Sequence, residues 1–278
     1  RQVINYQSLL GQGFSLDSVE VNNLSLRVKK AEIAHPSLNL VLKLRDFSVR
    51  PALLAIRPGG NLAFAFSGPG EISAGSVNQP LNVSGVITGN IKTGQVSINQ
   101  ATLKLQELGI AEVTGELTEW GKKGVSLKVE LKKMAVAKLA SFFKIEVPVE
   151  GLVSGLVQVE LGPGEQIQKM DFDLSLAEIH ARGDAVMFRG KLTGRYDLKA
   201  AKGDIQGQVE KPGGGRLNFT GDLAGENFTF RFSSEGLLVE EVLHLLPEEI
   251  KKKINLSAPG GSATLKDFVI SGTKKNFL

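Results

Sequence analysis

The side chains best suited to proton transfer or metal binding near neutral pH are three histidines, His35, His180 and His244. They lie far apart, and none sits in an HExxH or comparable spacing that would set two imidazoles on one helix face. His35 precedes Pro36, His180 falls near a strand end and His244 lies in a helical pattern, so each reads as a structural histidine. The chain has no cysteine, which excludes disulfides, thiolate metal sites and a cysteine nucleophile. Carboxylates are plentiful but alternate with apolar residues, as Asp171 and Asp173 do around Phe172, which puts them on the wet side of a strand. A glycosidase-type pair needs only to meet in space, and no spacing here announces one. GQG at 11–13 lacks the third glycine of a dinucleotide loop, and neither a GxSxG elbow nor a Walker lysine occurs. This inventory predicts no enzyme, no cofactor and no metal centre.

Binding is the remaining class, and charge narrows it. The formal net charge of +4 gives a mild attraction to anionic surfaces, lipid headgroups included. Basic residues are dispersed among acidic ones, and the run Lys251 to Lys253 follows Glu248 and Glu249 as a solvated helix end would. No aromatic stacking platform interleaves with them, which argues against a nucleic-acid partner. No apolar stretch approaches the roughly 18–20 residues that span a bilayer. The chain opens on Arg1, so it is expected to be a processed or excised piece whose anchor segment lies outside it.

The dominant signal is alternation. In RLNFTGDLAGENFTFRF (216–232), Leu217 and Phe219 alternate with Asn218 and Thr220; beyond a turn, Phe228, Phe230 and Phe232 alternate with Thr229 and Arg231. Successive strand side chains point to opposite faces, so both segments are apolar on one side and polar on the other. Similar segments recur at 19–28, 38–49, 61–66, 81–91, 96–108, 111–117, 125–131, 151–161, 169–181, 186–198 and 203–210. Gly- and Pro-rich punctuation between them, including GPGE at 68–71 and 162–165 and KPGGG at 211–215, reads as turns and implies antiparallel hairpins. Helical spacing is confined to VRPALLAIR (49–57), MAVAKLASFFKI (134–145) and LLVEEVLHLLPEEIKKKI (237–254), the last ended or kinked by Pro247. This third segment is expected to cap an end or edge of the sheet.

The expected fold is therefore mainly all-β: a long curved antiparallel sheet forming a groove or partly open barrel, with two or three short helices. Pro-Gly pairs at Pro69, Pro163 and Pro259 suggest a loose repeat, so 1–278 reads as one elongated domain with units near 1–133, 134–236 and 237–278.

The segments SLDSVEVNNLSLRVKKAEIAHPSLNLVLKLRDFSVRPALLAIRPGGNLAFAF, VAKLASFFKIEVPVEGLVSGLVQVEL and LLVEEVLHLLPEEIKKKINLSAPGGSATLKDFVISG resemble the AsmA-like superfamily, including its TamB-like and YhdP-like bridge members. A weaker resemblance is to the N component of type II secretion systems. The first resemblance implies a β-groove in the periplasm, tethered to the inner membrane of a Gram-negative-type cell, holding or conducting phospholipid acyl chains between membranes. It also implies envelope protein partners. The second implies a structural β-module of a secretion or surface assembly, without catalysis. On the lipid reading, the groove is lined by Phe64, Phe66, Phe172, Leu174, Leu217, Phe219, Phe228, Phe230 and Phe232. On the alternative reading of the same residues, they form the sealed core of a sandwich.

Overall fold

The computed structural model describes residues 14–22, 25–35, 40–53, 61–74, 77–90, 93–118, 124–142, 149–162, 167–181, 187–211, 214–238, 262–264 and 266–273. They are overwhelmingly strand. Eight strands come first: β1 (Phe14–Asn22), β2 (Ser25–His35), β3 (Leu40–Leu53), β4 (Asn61–Ala74), β5 (Val77–Asn90), β6 (Gln95–Leu105), β7 (Gly109–Leu117) and β8 (Val125–Ala135). The helix α1 (Val136–Phe142) follows, then β9 (Val149–Leu161), β10 (Ile167–Ala181), β11 (Phe188–Asp197), β12 (Lys202–Glu210), β13 (Arg216–Ala224) and β14 (Asn227–Glu235). Two-residue strands β15 (Leu237–Leu238) and β16 (Ser262–Ala263) pair with each other, and β17 (Phe268–Thr273) pairs with β14.

Among the described residues one antiparallel sheet of fifteen strands runs in the order β1 through β14 and then β17. Short connections produce this order. Asn90 and Gln95 are partners flanking the β5–β6 turn, which the Gly94 amide closes by donating to the Asn90 carbonyl at 2.8 Å. Gly94 takes a left-handed φ of 67°, open to glycine at no steric cost. The KPGGG segment joins β12 to β13 as expected: the Lys211 amide donates to the Gly215 carbonyl at 3.0 Å.

The chain divides into two compact units, residues 1–132 with 158–168, and residues 133–157 with 169–278. In the first unit Val28, Ala31, Leu44, Leu81 and Val83 are buried, with Phe47, Phe66 and Leu103 packed against them. In the second, Ile179, Phe188, Val209 and Leu217 form the buried cluster, joined by Val136 of α1 and by Leu176, Phe219 and Phe232.

Several expectations change in detail. The segment 19–28 is not one strand but the two arms of a hairpin, with Asn22 opposite Ser25. Residues 49–53 of the expected helical turn VRPALLAIR continue β3; the remainder lies outside the described residues. The helix expected over 134–145 starts at Val136, because β8 extends through Ala135. The first GPGE is not a turn: Gly68 to Glu71 lie inside β4, paired with β5 from Val83 to Pro80. Its glycines serve close packing. A Cβ on Gly68 would stand 2.9 Å from Phe47 Cα, and one on Gly70 would stand 2.9 Å from Leu44 Cδ2. The second GPGE beyond Gly162, the 239–254 part of the third helical segment, Pro259 and His244 lie outside the described residues.

Candidate functional site

Strand register assembles the second unit's apolar face. Leu174 of β10 lies opposite Leu192, which lies opposite Gly207; Phe219, Phe232 and Phe268 continue that row across β13, β14 and β17. The next row is Phe172, Gly194, Ile205, Gly221, Phe230 and Ile270. A third is Met170, Tyr196, Gly203, Leu223, Phe228 and Gly272. Ring centroids lie 6.1 Å apart for Phe219 and Phe232, 5.7 Å for Phe228 and Phe230, and 6.3 Å for Phe232 and Phe268. These distances are in the range of favourable tilted aromatic pairs.

Seven of the nine expected groove residues therefore share this face: Phe172, Leu174, Leu217, Phe219, Phe228, Phe230 and Phe232. Phe64 and Phe66 lie on β4 in the first unit, on one face by alternation. There Phe66 stands opposite Gly85, Ala101 and Val113 in successive strands, and Phe64 opposite Ile87, Ile98 and Gly115. The Phe47 and Phe66 centroids are 5.6 Å apart.

Burial is uneven across these positions. Leu217 and Phe228 are buried, at 8% and 6% exposure, whereas Phe64, Phe66, Phe172, Leu174, Phe219, Phe230 and Phe232 are only half-buried. Their strands are paired on both sides, so the partial exposure belongs to the face of the sheet and not to an edge. Tyr196, Leu192, Ile205, Leu223, Phe268 and Ile270 complete the face, also half-buried. Sequence reasoning missed them because their place depends on cross-strand register. Alternation in 186–198 and 203–210 was the available signal for Leu192, Tyr196 and Ile205.

The opposite face is charged. Asp171 and Asp173 are exposed there, as alternation requires. Arg195 donates to Asp204 at 2.6 Å and Arg231 to Asp222 at 2.9 Å. Hydrogen bonding to Asp204, and then its charge, holds the Arg195 guanidinium pKa above its ordinary value. A depression of about 660 Å³ is bounded by Lys169, Asp171, Arg195, Asp204 and Asp222 among others. Asp204 and Asp222 face each other in register on adjacent strands, each held by an arginine, not across a cleft. His180 bonds through Nδ1 to the Glu178 carbonyl at 2.7 Å, with Nε2 3.7 Å from Glu150. Among the described residues no cluster of His, Asp or Glu could hold a metal ion. No helix there is long and apolar enough to cross a membrane, which says nothing of spanning by strands.

No family model, curated protein or solved structure matches this chain. Its own geometry must carry the functional reading. That geometry is a sheet with one charged face and one apolar face whose rings are incompletely covered.

Proposed function

We propose that the chain is a lipid-handling protein of a cell envelope, laying acyl chains on the apolar face and holding or conducting phospholipid between membranes. One observation supports this above others: Phe219, Phe230 and Phe232 stay half-buried in strands that are paired on both sides. Interdigitating side chains of two stacked sheets are buried in the core between them. Among the described residues the extensive packing runs between neighbouring strands of the sheet. Acyl tails are suited to the uncovered surface, at about 0.8 kcal/mol per buried methylene. A long tail then gains on the order of 10 kcal/mol before ordering costs, and binding to a uniform face needs no catalytic group. The periplasmic setting beside an inner membrane, and the envelope partners, rest on the residue-level resemblance to the AsmA-like superfamily.

The test is mass spectrometry of solvent extracts from the purified chain, paired with titration of a fluorescent fatty acid into the delipidated protein. Co-purifying phospholipid and saturable uptake are expected. A chain that carries no lipid and takes up none overturns the proposal and leaves a structural β-module as the better reading.

A further inference from the structure

We infer that the outer edge of β17 is an interaction surface for a second copy of this chain, whose own β17 pairs with it antiparallel about Ile270. This goes beyond the lipid reading and does not depend on it. Among the described residues β17 is the last strand in the sheet's order, paired with β14 and with nothing beyond it. A terminal strand presents unpaired amides and carbonyls, and proteins ordinarily guard such edges with charge, proline or a bulge. Between Phe268 and Thr273 β17 has none of these: FVISGT is uncharged and keeps unbroken register with β14. By contrast β1, at the other end of the order, includes Asp17 and Glu20 and shifts register on both sides of Ser18. Val269 adds to the edge an apolar side chain that is 49% exposed.

The chain holds a second strand of the same kind, and that one is paired on both sides. LRDFSV (44–49) of β3 and LKDFVI (265–270) match in sequence position by position. Asp46 and Asp267 take left-handed φ values of 48° and 53°, each just ahead of its phenylalanine. On one side Phe47 stands opposite Val28, as Phe268 stands opposite Phe232. On its other side β3 takes β4, which lays Gly68 under Phe47; a Cβ there would stand 3.3 Å from the ring. The strand that completes β17 should likewise bring a glycine to Phe268. The second unit uses the same pairing, with Phe172, Phe219 and Phe230 opposite Gly194, Gly207 and Gly221.

β17 carries that glycine itself. Two copies paired about a two-fold axis at Ile270 set Phe268 opposite the second copy's Gly272, and Val269 opposite its Ser271. Directly opposite residues share a face, so the two copies form one continuous sheet with apolar side chains beside apolar ones. Gly272 already lies under Phe228, and Gly221 shows that one glycine can serve both neighbouring strands: its Cβ would meet Phe230 and Ile205 together. Moving the axis to Ser271 would instead set Phe268 opposite Lys274, a charge on the apolar side.

The test is sedimentation velocity of the whole chain over about a hundredfold range of concentration, since a homodimer dissociates by mass action. A dimer is expected. Val269→Lys puts two like charges diagonally across the axis and is expected to weaken the dimer at least about tenfold. Association through apolar faces would not respond to that change. Ser271→Lys, also at an exposed position, takes its place if circular dichroism shows Val269→Lys unfolded. Disulfide formation reads the register, and the absence of native cysteine makes the readout specific. An equal mixture of Val269→Cys and Ser271→Cys chains is expected to oxidise to the mixed dimer faster than either variant oxidises alone. Fastest oxidation by Ser271→Cys alone overturns the pairing of Phe268 with Gly272. A parent that stays monomeric, or a dimer indifferent to both lysine variants, overturns the edge as the interface. Failure of lipid uptake would overturn the lipid reading alone.

Discussion

Replacing Phe230 with aspartate separates an uncovered apolar face from a sealed one. A fully buried phenylalanine removes on the order of 200 Å² from water. Phe230 keeps only the smaller part of its surface in water, so its loss gives up on the order of 150 Å², or about 4 kcal/mol at ~25 cal/mol per Å². On an uncovered face the new carboxylate keeps its water and adds little to that figure. Under a second layer of protein it would be an unpaired buried charge, adding several kcal/mol more. The sum would then approach the whole stability of a domain, roughly 5–15 kcal/mol. Urea unfolding followed by far-UV circular dichroism measures the difference, with Phe188→Asp as the reference for a sealed position, since Phe188 is 4% exposed. Phe230→Asp is expected to fold, to lose about 4 kcal/mol at unchanged m-value, and to lose fatty-acid uptake; Phe188→Asp is expected to unfold. If Phe230→Asp proves as unstable as Phe188→Asp, the uncovered face is wrong.

Other consequences can be measured on the same material. Asp46 and Glu178 hold left-handed φ values of 48° and 57° at interruptions of register, so Asp46→Gly and Glu178→Gly should each raise the urea-derived stability by about 1 kcal/mol, and Glu178→Val should lower it. Leu81, 3% exposed in the first unit's cluster, should cost about 2–5 kcal/mol when cut to alanine, read from the same unfolding curves. The Lys132 ammonium is held above its ordinary pKa of 10.5, chiefly by its hydrogen bond to Glu112 and further by the charges of Glu112 and Glu130, against partial desolvation. Its stabilising contribution is therefore full below 10.5 and lost as pH rises through the raised folded-state value. Lys132→Gln should lower the thermal midpoint near neutral pH and converge on the parent in strong alkali.

Alternation exposed most of this architecture because it is a local property. Phe228, Phe230 and Phe232 announce one face of β14 whatever lies beside them, and KPGGG announces its hairpin. Glycine was the residue most easily misread. Gly68 and Gly70 in GPGE look like turn residues, yet they lie within β4 beneath Phe47 and beside Leu44. A turn glycine answers to its own φ, whereas these answer to a neighbouring strand, and that neighbour is set by register. The same gap hid Tyr196, Leu223 and Phe268 from the candidate face. The hairpin at Asn22 and Ser25 was masked by alternation continuing through VEVNNLSLRV on both sides of the bend. Asp46 could not have been foreseen as a bulge, because nothing in LKLRDFSV interrupts the pattern.

Strand order that follows chain order through β14 also bears on how such a protein is made and remade. Each new segment closes on the one just synthesised, so loop-closure costs stay small and assembly can proceed from either side without distant partners. Inserting or deleting one whole hairpin would lengthen or shorten the sheet by two strand spacings, roughly 9–10 Å, while every remaining side chain kept its face. Inserting a single strand would reverse the direction of everything downstream. Growth in pairs is thus the accessible path for lineages that need a longer or shorter version.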